Sequence, residues 1–109
     1  MGYEITVSTT ERSELTDITS EVQDIVRRSG VEKGVCSIFV PHTTAGLVVN
    51  ENWDPSVKTD LIAVLDRLVP WQAHYRHTEG NAAAHVKATL VGSSSTLLVE
   101  AGQIVLGRW

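Results

Sequence analysis

The chain has a single cysteine and no long apolar run. Cys36 has no second cysteine with which to form an intrachain disulfide. No stretch reaches the roughly 18 consecutive apolar residues that a membrane-spanning helix needs, and no apolar segment typical of a signal peptide occurs near Met1. These absences predict a protein of the reducing cytoplasm with no membrane partner.

Basic residues are also few. Nine Lys and Arg stand against thirteen Asp and Glu, and the formal net charge is −4. Nucleic-acid binding needs a clustered basic surface, and Arg27-Arg28 is the only adjacent basic pair. That pair falls at the end of a predicted helix, where cations complement the helix dipole. We therefore expect no nucleic-acid partner.

Several familiar catalytic motifs are missing. The sequence has no G-x-x-x-x-G-K-[ST] phosphate loop, no G-x-G-x-x-G fingerprint, no nucleophile elbow and no C-x-x-C. Cys36 lies within a strand pattern, where a thiol is a poor nucleophile. We expect no organic cofactor.

The chain does contain enough apolar material for one core. Its 109 residues are 42% hydrophobic and 20% charged, which is typical of one soluble domain over residues 1–109. Helical spacing predicts three helices: residues 20–29 with a Ser20–Gln23 capping box, a helix opened by Asp54-Pro55, and a helix capped by Asn81. The residues that stop them are Gly30, Pro70 and Gly92. The second helix has Asp60 bordering a predicted buried stripe of Val57, Leu61, Val64, Leu65 and Leu68.

Apolar alternation predicts the strands. They cover residues 3–7, 34–40, 96–100 and 103–109, with a further short strand at 47–49 and a tight turn at Ala101-Gly102. The order β, α, β-β, α, α, β-β lacks the regular alternation of a doubly wound sheet. It predicts an α+β fold with a mostly antiparallel sheet or sandwich and about three helices.

Three polar clusters are candidates for chemistry. The first joins His42-Thr43-Thr44 to Asn50-Glu51-Asn52; it suits a phosphate or a metal, or else a turn that satisfies its own backbone. The second runs from Tyr75-Arg76-His77 to Asn81 and His85. Histidine serves as an acid, a base or a metal ligand.

Spacing alone leaves the role of His85 open. The gap between His77 and His85 matches no local metal motif, so a helix histidine with a satisfied hydrogen bond fits the spacing better. We interpret His74 as an exposed residue without a functional role. The third cluster, Glu51 with Asp60, suits Mg²⁺ or the orientation of a histidine, but carboxylates in such positions are more often solvated.

Taken together, these stretches resemble a known family. Residues 40–46, 50–52 and 54–61 resemble the first signature of the YjbQ family, and residues 68–70, 75–77 and 80–85 resemble the second. Gly92-Ser93-Ser94 and residues 102–109 resemble the third, and Asp17-Ile18-Thr19 resembles the opening motif. The resemblance runs along nearly the whole chain in order.

The resemblance implies an α+β homotrimer that binds a small phosphorylated metabolite near a subunit boundary. It also implies a transferase with thiamine-phosphate synthase side activity, which joins a pyrimidine diphosphate to a thiazole phosphate and releases pyrophosphate. The family's invariant polar positions fall on His42, Thr43, Thr44, Asn50, Glu51, Asp60, His77, Asn81 and His85.

Residue types suggest roles at these positions. We assign catalysis to His42, Asp60, His77 and His85, and substrate or cofactor contacts to Thr43, Thr44, Asn50, Glu51 and Asn81. A divalent metal, Mg²⁺ on the carboxylates or a zinc-like ion on His42, His77 and His85, is a further expectation. The alternatives are a metal-dependent hydrolase with a histidine-based site and a non-catalytic trimeric binding protein.

The sequence departs from the family pattern in two places. The residues between Asn81 and His85 are all alanine, where many relatives place an acidic residue. Relatives also continue beyond Trp109 with another strand and a Gly-Pro-Arg segment, so we expect the family's C-terminal strand to be missing from these residues.

Overall fold

A computed structural model describes residues 2–109 as three helices and three strands. In chain order they are α1 (Thr19–Ser29), β1 (Lys33–Phe39), α2 (Pro55–Leu68), α3 (Ala82–Val91), β2 (Ser94–Glu100) and β3 (Gln103–Ile104). The sheet order is β1-β2-β3, and β2 pairs antiparallel with β3 so that Val99 faces Ile104. The predicted α+β class with an antiparallel sheet is confirmed. In the described part of the chain, no helix is both long and apolar enough to cross a membrane.

The chain divides into two compact units. The first unit contains the chain up to Cys36 together with Thr96–Arg108, and the second contains Ser37–Ser95 with Trp109. Our expectation of one domain over residues 1–109 stays a prediction.

The core of the first unit lies between α1 and the β2–β3 hairpin. Val22 and Val26 of α1 are buried, as are Val99 and Ile104 of the hairpin. Ala101 and Gly102 form the hairpin turn with φ of 51° and 75°, the left-handed values that a tight two-residue turn requires. The predicted turn is confirmed.

The predicted capping box of α1 is wrong. The helix begins after Ile18, and the Asp17 carboxylate accepts hydrogen bonds from the amide and hydroxyl of Thr19, at 2.9 and 2.6 Å. The Gln23 side chain is used elsewhere: its Nε2 donates to the Gly102 carbonyl, and its Oε1 accepts from the Ile104 amide, both at 3.0 Å. A long-range partner therefore replaces the local one.

In the second unit α2 begins where the sequence predicts. Asp54 is its N-cap and accepts a hydrogen bond from the Ser56 amide at 2.9 Å. The predicted buried stripe is wrong, because no residue of α2 is buried. Val57, Leu61 and Leu65 are half-buried, Val64 is 40% exposed and Leu68 is 69% exposed. Helical spacing identifies an apolar face, but burial also needs a neighbouring element to cover it.

Three predicted strand segments are not strands. Residues 3–7, 47–49 and 105–109 do not form strands. Leu47 donates one backbone hydrogen bond to Gly92, and Val105 donates one to Leu98, at 2.9 and 2.8 Å. Alternation favours an extended chain, but a strand also requires a partner along its length.

Candidate functional site

A cleft of about 320 Å³ lies in the second unit, beside the N-terminal half of α3. One side is formed by Tyr75, Arg76 and His77, and the other by Ala82, His85 and Val86 of α3. The residues that line the cleft therefore include one arginine and two histidines beside an apolar wall.

The two histidines of the cleft are in contact. The ring centroids of His77 and His85 are 5.0 Å apart, and the ring planes meet at 80°, an edge-to-face arrangement. His77 Nε2 also lies 3.8 Å from the Glu79 carboxylate, but both side chains are well exposed and such a pair contributes little. The structure thus brings together two of the three histidines predicted for the site.

Two local hydrogen bonds hold the loop side of the cleft. The Tyr75 hydroxyl donates to the carbonyl of Pro70, and the Tyr75 amide donates to the carbonyl of Ala73 at 3.0 Å. These bonds fold residues 70–75 back on themselves, and Arg76 and His77 follow directly. A guanidinium beside an imidazole favours an anionic ligand, and Arg matches phosphate geometry well.

Asn81 lies at the start of α3, as predicted, but it does not cap the helix with its side chain. Its carbonyl oxygen accepts from the amides of Ala84 and His85, at 3.1 and 3.3 Å. Its side-chain Oδ1 is buried and has no hydrogen-bond partner among residues 2–109. A buried acceptor of this kind usually takes a hydrogen bond from a ligand or a water molecule.

The other predicted site residues lie outside the lining of this cleft. Four of them, on the loop before α2, are exposed: His42, Thr43, Thr44 and Asn50. The Asn50 side chain accepts a hydrogen bond from the Glu51 amide at 2.7 Å. This contact matches the alternative in which the polar residues of the turn bond to their own backbone rather than to a ligand. Glu51 is half-buried, and Asp60 is exposed on α2 rather than at the border of a buried face.

The described residues do not fit a metal ion. Within residues 2–109, no three His, Cys, Asp or Glu side chains come close enough together to hold one. The pair of His77 and His85 gives two donors, whereas a zinc site normally has at least three protein ligands. The three-histidine metal site stays a prediction.

Sequence reasoning missed two features of this region. Arg76 lines the cleft, although the sequence pattern assigns it no role of its own. Lys87 is only 8% exposed; its ammonium group bonds to Asp66 and lies 4.2 Å from the ring centroid of Trp71. The position of Arg76 next to His77 was a sequence signal that could have identified it. No local sequence pattern indicates that Lys87 is buried.

Comparison with known proteins places the chain in one family. A family model described as "UPF0047 protein YjbQ-like" matches residues 3–109. The UPF0047 protein YugU of Bacillus subtilis is 45% identical over 104 residues, which span 94% of this chain and 79% of that protein. A UPF0047 protein of Methanocaldococcus jannaschii is 44% identical over 109 residues, spanning 100% of this chain and 79% of its own length.

Solved structures agree with this result. An uncharacterised conserved YjbQ/UPF0047 protein from Clostridium acetobutylicum superposes with a TM-score of 0.92 at 44% identity, covering 94% of this chain and 80% of that one. A YbjQ-like protein of unknown function from Sulfolobus solfataricus gives a TM-score of 0.90 at 36% identity, covering 94% and 75%. The chain therefore belongs to the YjbQ-like UPF0047 family.

Proposed function

We propose that the cleft binds a phosphorylated small metabolite and that the chain is a transferase with thiamine-phosphate synthase side activity. The observation that carries the proposal is the edge-to-face pair of His77 and His85 beside Arg76 in one cleft. The pair supplies acid–base groups that work near neutral pH, and the guanidinium supplies a permanent positive charge. The synthase activity itself rests on the family resemblance.

The reaction asks for charge stabilisation rather than for a strong nucleophile in the protein. The bond between the pyrimidine methylene carbon and the diphosphate oxygen breaks, and its electron pair leaves with pyrophosphate. The thiazole nitrogen then shares its lone pair with that carbon to form the new C–N bond. The chain's task is to stabilise the negative charge that develops on the leaving oxygen.

The cleft residues suit that task. The Arg76 guanidinium offers paired N–H donors to phosphate oxygens. A protonated imidazole of His77 or His85 donates a hydrogen bond to the leaving oxygen, which is general acid catalysis worth about 10²–10⁴-fold in rate. The apolar wall of Ala82 and Val86 fits the uncharged part of a heterocyclic substrate.

Paired histidine variants test the proposal. His77→Gln and His85→Gln each remove an ionisable ring, and we expect each to lower pyrophosphate release from the pyrimidine diphosphate and thiazole phosphate by roughly 10²-fold. His74→Gln is the matched control, since His74 is exposed and does not line the cleft. Unchanged rates in folded His77→Gln and His85→Gln proteins would refute the proposal.

A non-catalytic binding protein is the second candidate. Arg76 is exposed and can contact an anionic ligand. The predicted site residues His42, Thr43 and Thr44 do not line the cleft, so the cleft has a positively charged side chain for binding but lacks part of the predicted catalytic site. Titration calorimetry with the thiazole phosphate separates the two functions. Binding that depends on Arg76, without pyrophosphate release, would establish the binding protein in place of the transferase.

The hydrolase alternative and the assembly are testable in the same preparation. A metal-dependent hydrolase needs a third ligand beside His77 and His85, and the described residues do not bring one there. Metal analysis of the purified protein tests the hydrolase alternative.

We also propose that the chain is a cytoplasmic homotrimer. Leu68 and Leu90, which are 69% and 60% exposed, support a subunit contact, and light scattering measures the mass.

A further inference from the structure

The buried lysine of α3 lies on the opposite side of the helix from the cleft. Residues advance by about 100° around an α-helix, so Lys87 points about 200° away from His85. Ala83 precedes Lys87 by one turn and is only 1% exposed, so these two residues form the buried face. His85 and Val86 lie on the face that lines the cleft.

Lys87 is the main anchor of α3 by size. The only other buried residues of the helix are Ala82 and Ala83, which are small, and the helix has no side-chain N-cap. Two alanines leave the rotation of a helix about its axis poorly defined, since they offer little shape to pack. A long side chain held at its far end defines that rotation much better.

The far end of Lys87 is held by two groups at once. The ammonium group bonds to the Asp66 carboxylate of α2 and lies over the face of Trp71, 4.2 Å from the ring centroid. A buried ammonium needs such partners, because burial of an unpaired charge is costly. Its position is therefore strongly restrained by α2 and by the residue that follows Pro70.

Trp71 connects this anchor to the other side of the cleft. It begins the segment that folds back through the bond from the Tyr75 hydroxyl to the Pro70 carbonyl. That segment carries His77, whose ring meets the ring of His85. Lys87 thus joins α3, which carries one histidine of the pair, to the segment that carries the other.

We propose that Lys87 is a positioning residue: its contacts with Asp66 and Trp71 set the rotation of α3 and the fold of residues 71–77, and so bring His85 against His77. Lys87 does not itself contact the ligand. Its importance for catalysis rests on the proposed function, but its control of the histidine pair does not.

Nuclear Overhauser contacts between the carbon-bound ring protons of His77 and His85 test the geometry directly. Rings in edge-to-face contact give such a signal in the unaltered protein. We expect Lys87→Met, which keeps the chain length but removes the charge, to abolish it. Lys87→Arg keeps a cation for Trp71 and donors for Asp66, so it should restore the signal. Lys33→Met, on the exposed start of β1, is the matched control and should leave the signal unchanged.

The variants also have distinct kinetic signatures. A folded Lys87→Met protein should lose about tenfold or more in kcat with little change in KM, because misplacement of a catalytic group slows the reaction more than it weakens binding. Where Lys87→Met does not fold, Asp66→Asn tests the same contact. Asp66 is the half-exposed partner of the pair, so its replacement disturbs the fold less.

The proposal is overturned if the His77–His85 contact persists in a folded Lys87→Met protein. Where Lys87→Met does not fold, the same result in a folded Asp66→Asn protein overturns it. Loss of the contact in a protein whose unaltered form shows no synthase turnover would support the positioning role and refute the proposed function instead. The two failures are therefore distinguishable.

Discussion

Replacement of Gln23 by leucine should destabilise the first unit far more than its position on a surface helix suggests. The Gln23 amide donates to the Gly102 carbonyl and accepts from the Ile104 amide, both at 3.0 Å. Leucine removes both partners and leaves two part-buried backbone groups unpaired. Each such group costs about 1–3 kcal/mol, and leucine recovers part of this through apolar contact. We expect a net loss of about 2–4 kcal/mol in the free energy of unfolding.

Denaturant unfolding at fixed protein concentration measures this loss, and a thermal melt should show a midpoint lowered by roughly 10 °C or more. Asp24→Leu is the matched control on the next helical position. It breaks only the exposed Asp24–Arg27 ion pair at 2.8 Å and should change stability by about 0.5 kcal/mol or less. Equal effects of the two substitutions would show that the hairpin carbonyl and amide do not depend on Gln23.

Two further predictions concern backbone geometry and capping. A Cβ on Gly46 would lie 2.8 Å from the Gly92 carbonyl oxygen, so Gly46→Ala should lower the free energy of unfolding by about 1–3 kcal/mol. Gly107→Ala is the control and should change stability very little, since a Cβ there would have nothing within 4 Å. Similar thermal melts for the two variants would contradict this prediction. Asp54 has a pKa lowered from its usual 3.8, because the Ser56 backbone amide, and then the Ser56 hydroxyl, donate to its carboxylate. This carboxylate therefore stabilises the fold above its unfolded pKa, and the stabilisation is lost as the pH falls through the lower folded pKa. The difference in melting temperature between the unaltered protein and Asp54→Ala should narrow below about pH 4, and a difference independent of pH would contradict the assignment.

Local signals were enough for the helix ends and the hairpin turn. Asp54-Pro55 starts α2, Gly30 ends α1 in the left-handed conformation, and Gly92 ends α3, all as predicted. These features depend on the φ angles and hydrogen-bonding groups of neighbouring residues, which are visible in sequence. The same holds for Ala101-Gly102, where two residues with positive φ reverse the chain.

Strand partners and burial could not be predicted in the same way. Residues 3–7 and 47–49 alternate as strands do, but they do not form strands, because pairing depends on residues distant in the chain. Val64 and Leu68 follow the helical spacing of buried residues and are nevertheless exposed. Periodicity describes the element, and its neighbours determine what is covered.

The candidate site shows the same division. Residue types and the family resemblance selected His77, Asn81 and His85, and the fold places His77 and His85 in contact across an eight-residue gap that matches no local motif. The convergence of His42 with that pair was expected from the resemblance and stays a prediction.

Local chemistry by itself determined where α2 begins, where α1 and α3 end, that the fold is α+β, and which polar residues are candidates for the site. Capping, turn geometry and side-chain type act over a few residues. Only the tertiary structure decided that Gln23 serves the hairpin rather than its own helix, and that Lys87 is buried between Asp66 and Trp71. Those contacts join residues far apart in the chain, and the energy of burying a polar group depends on partners that only the folded chain brings together.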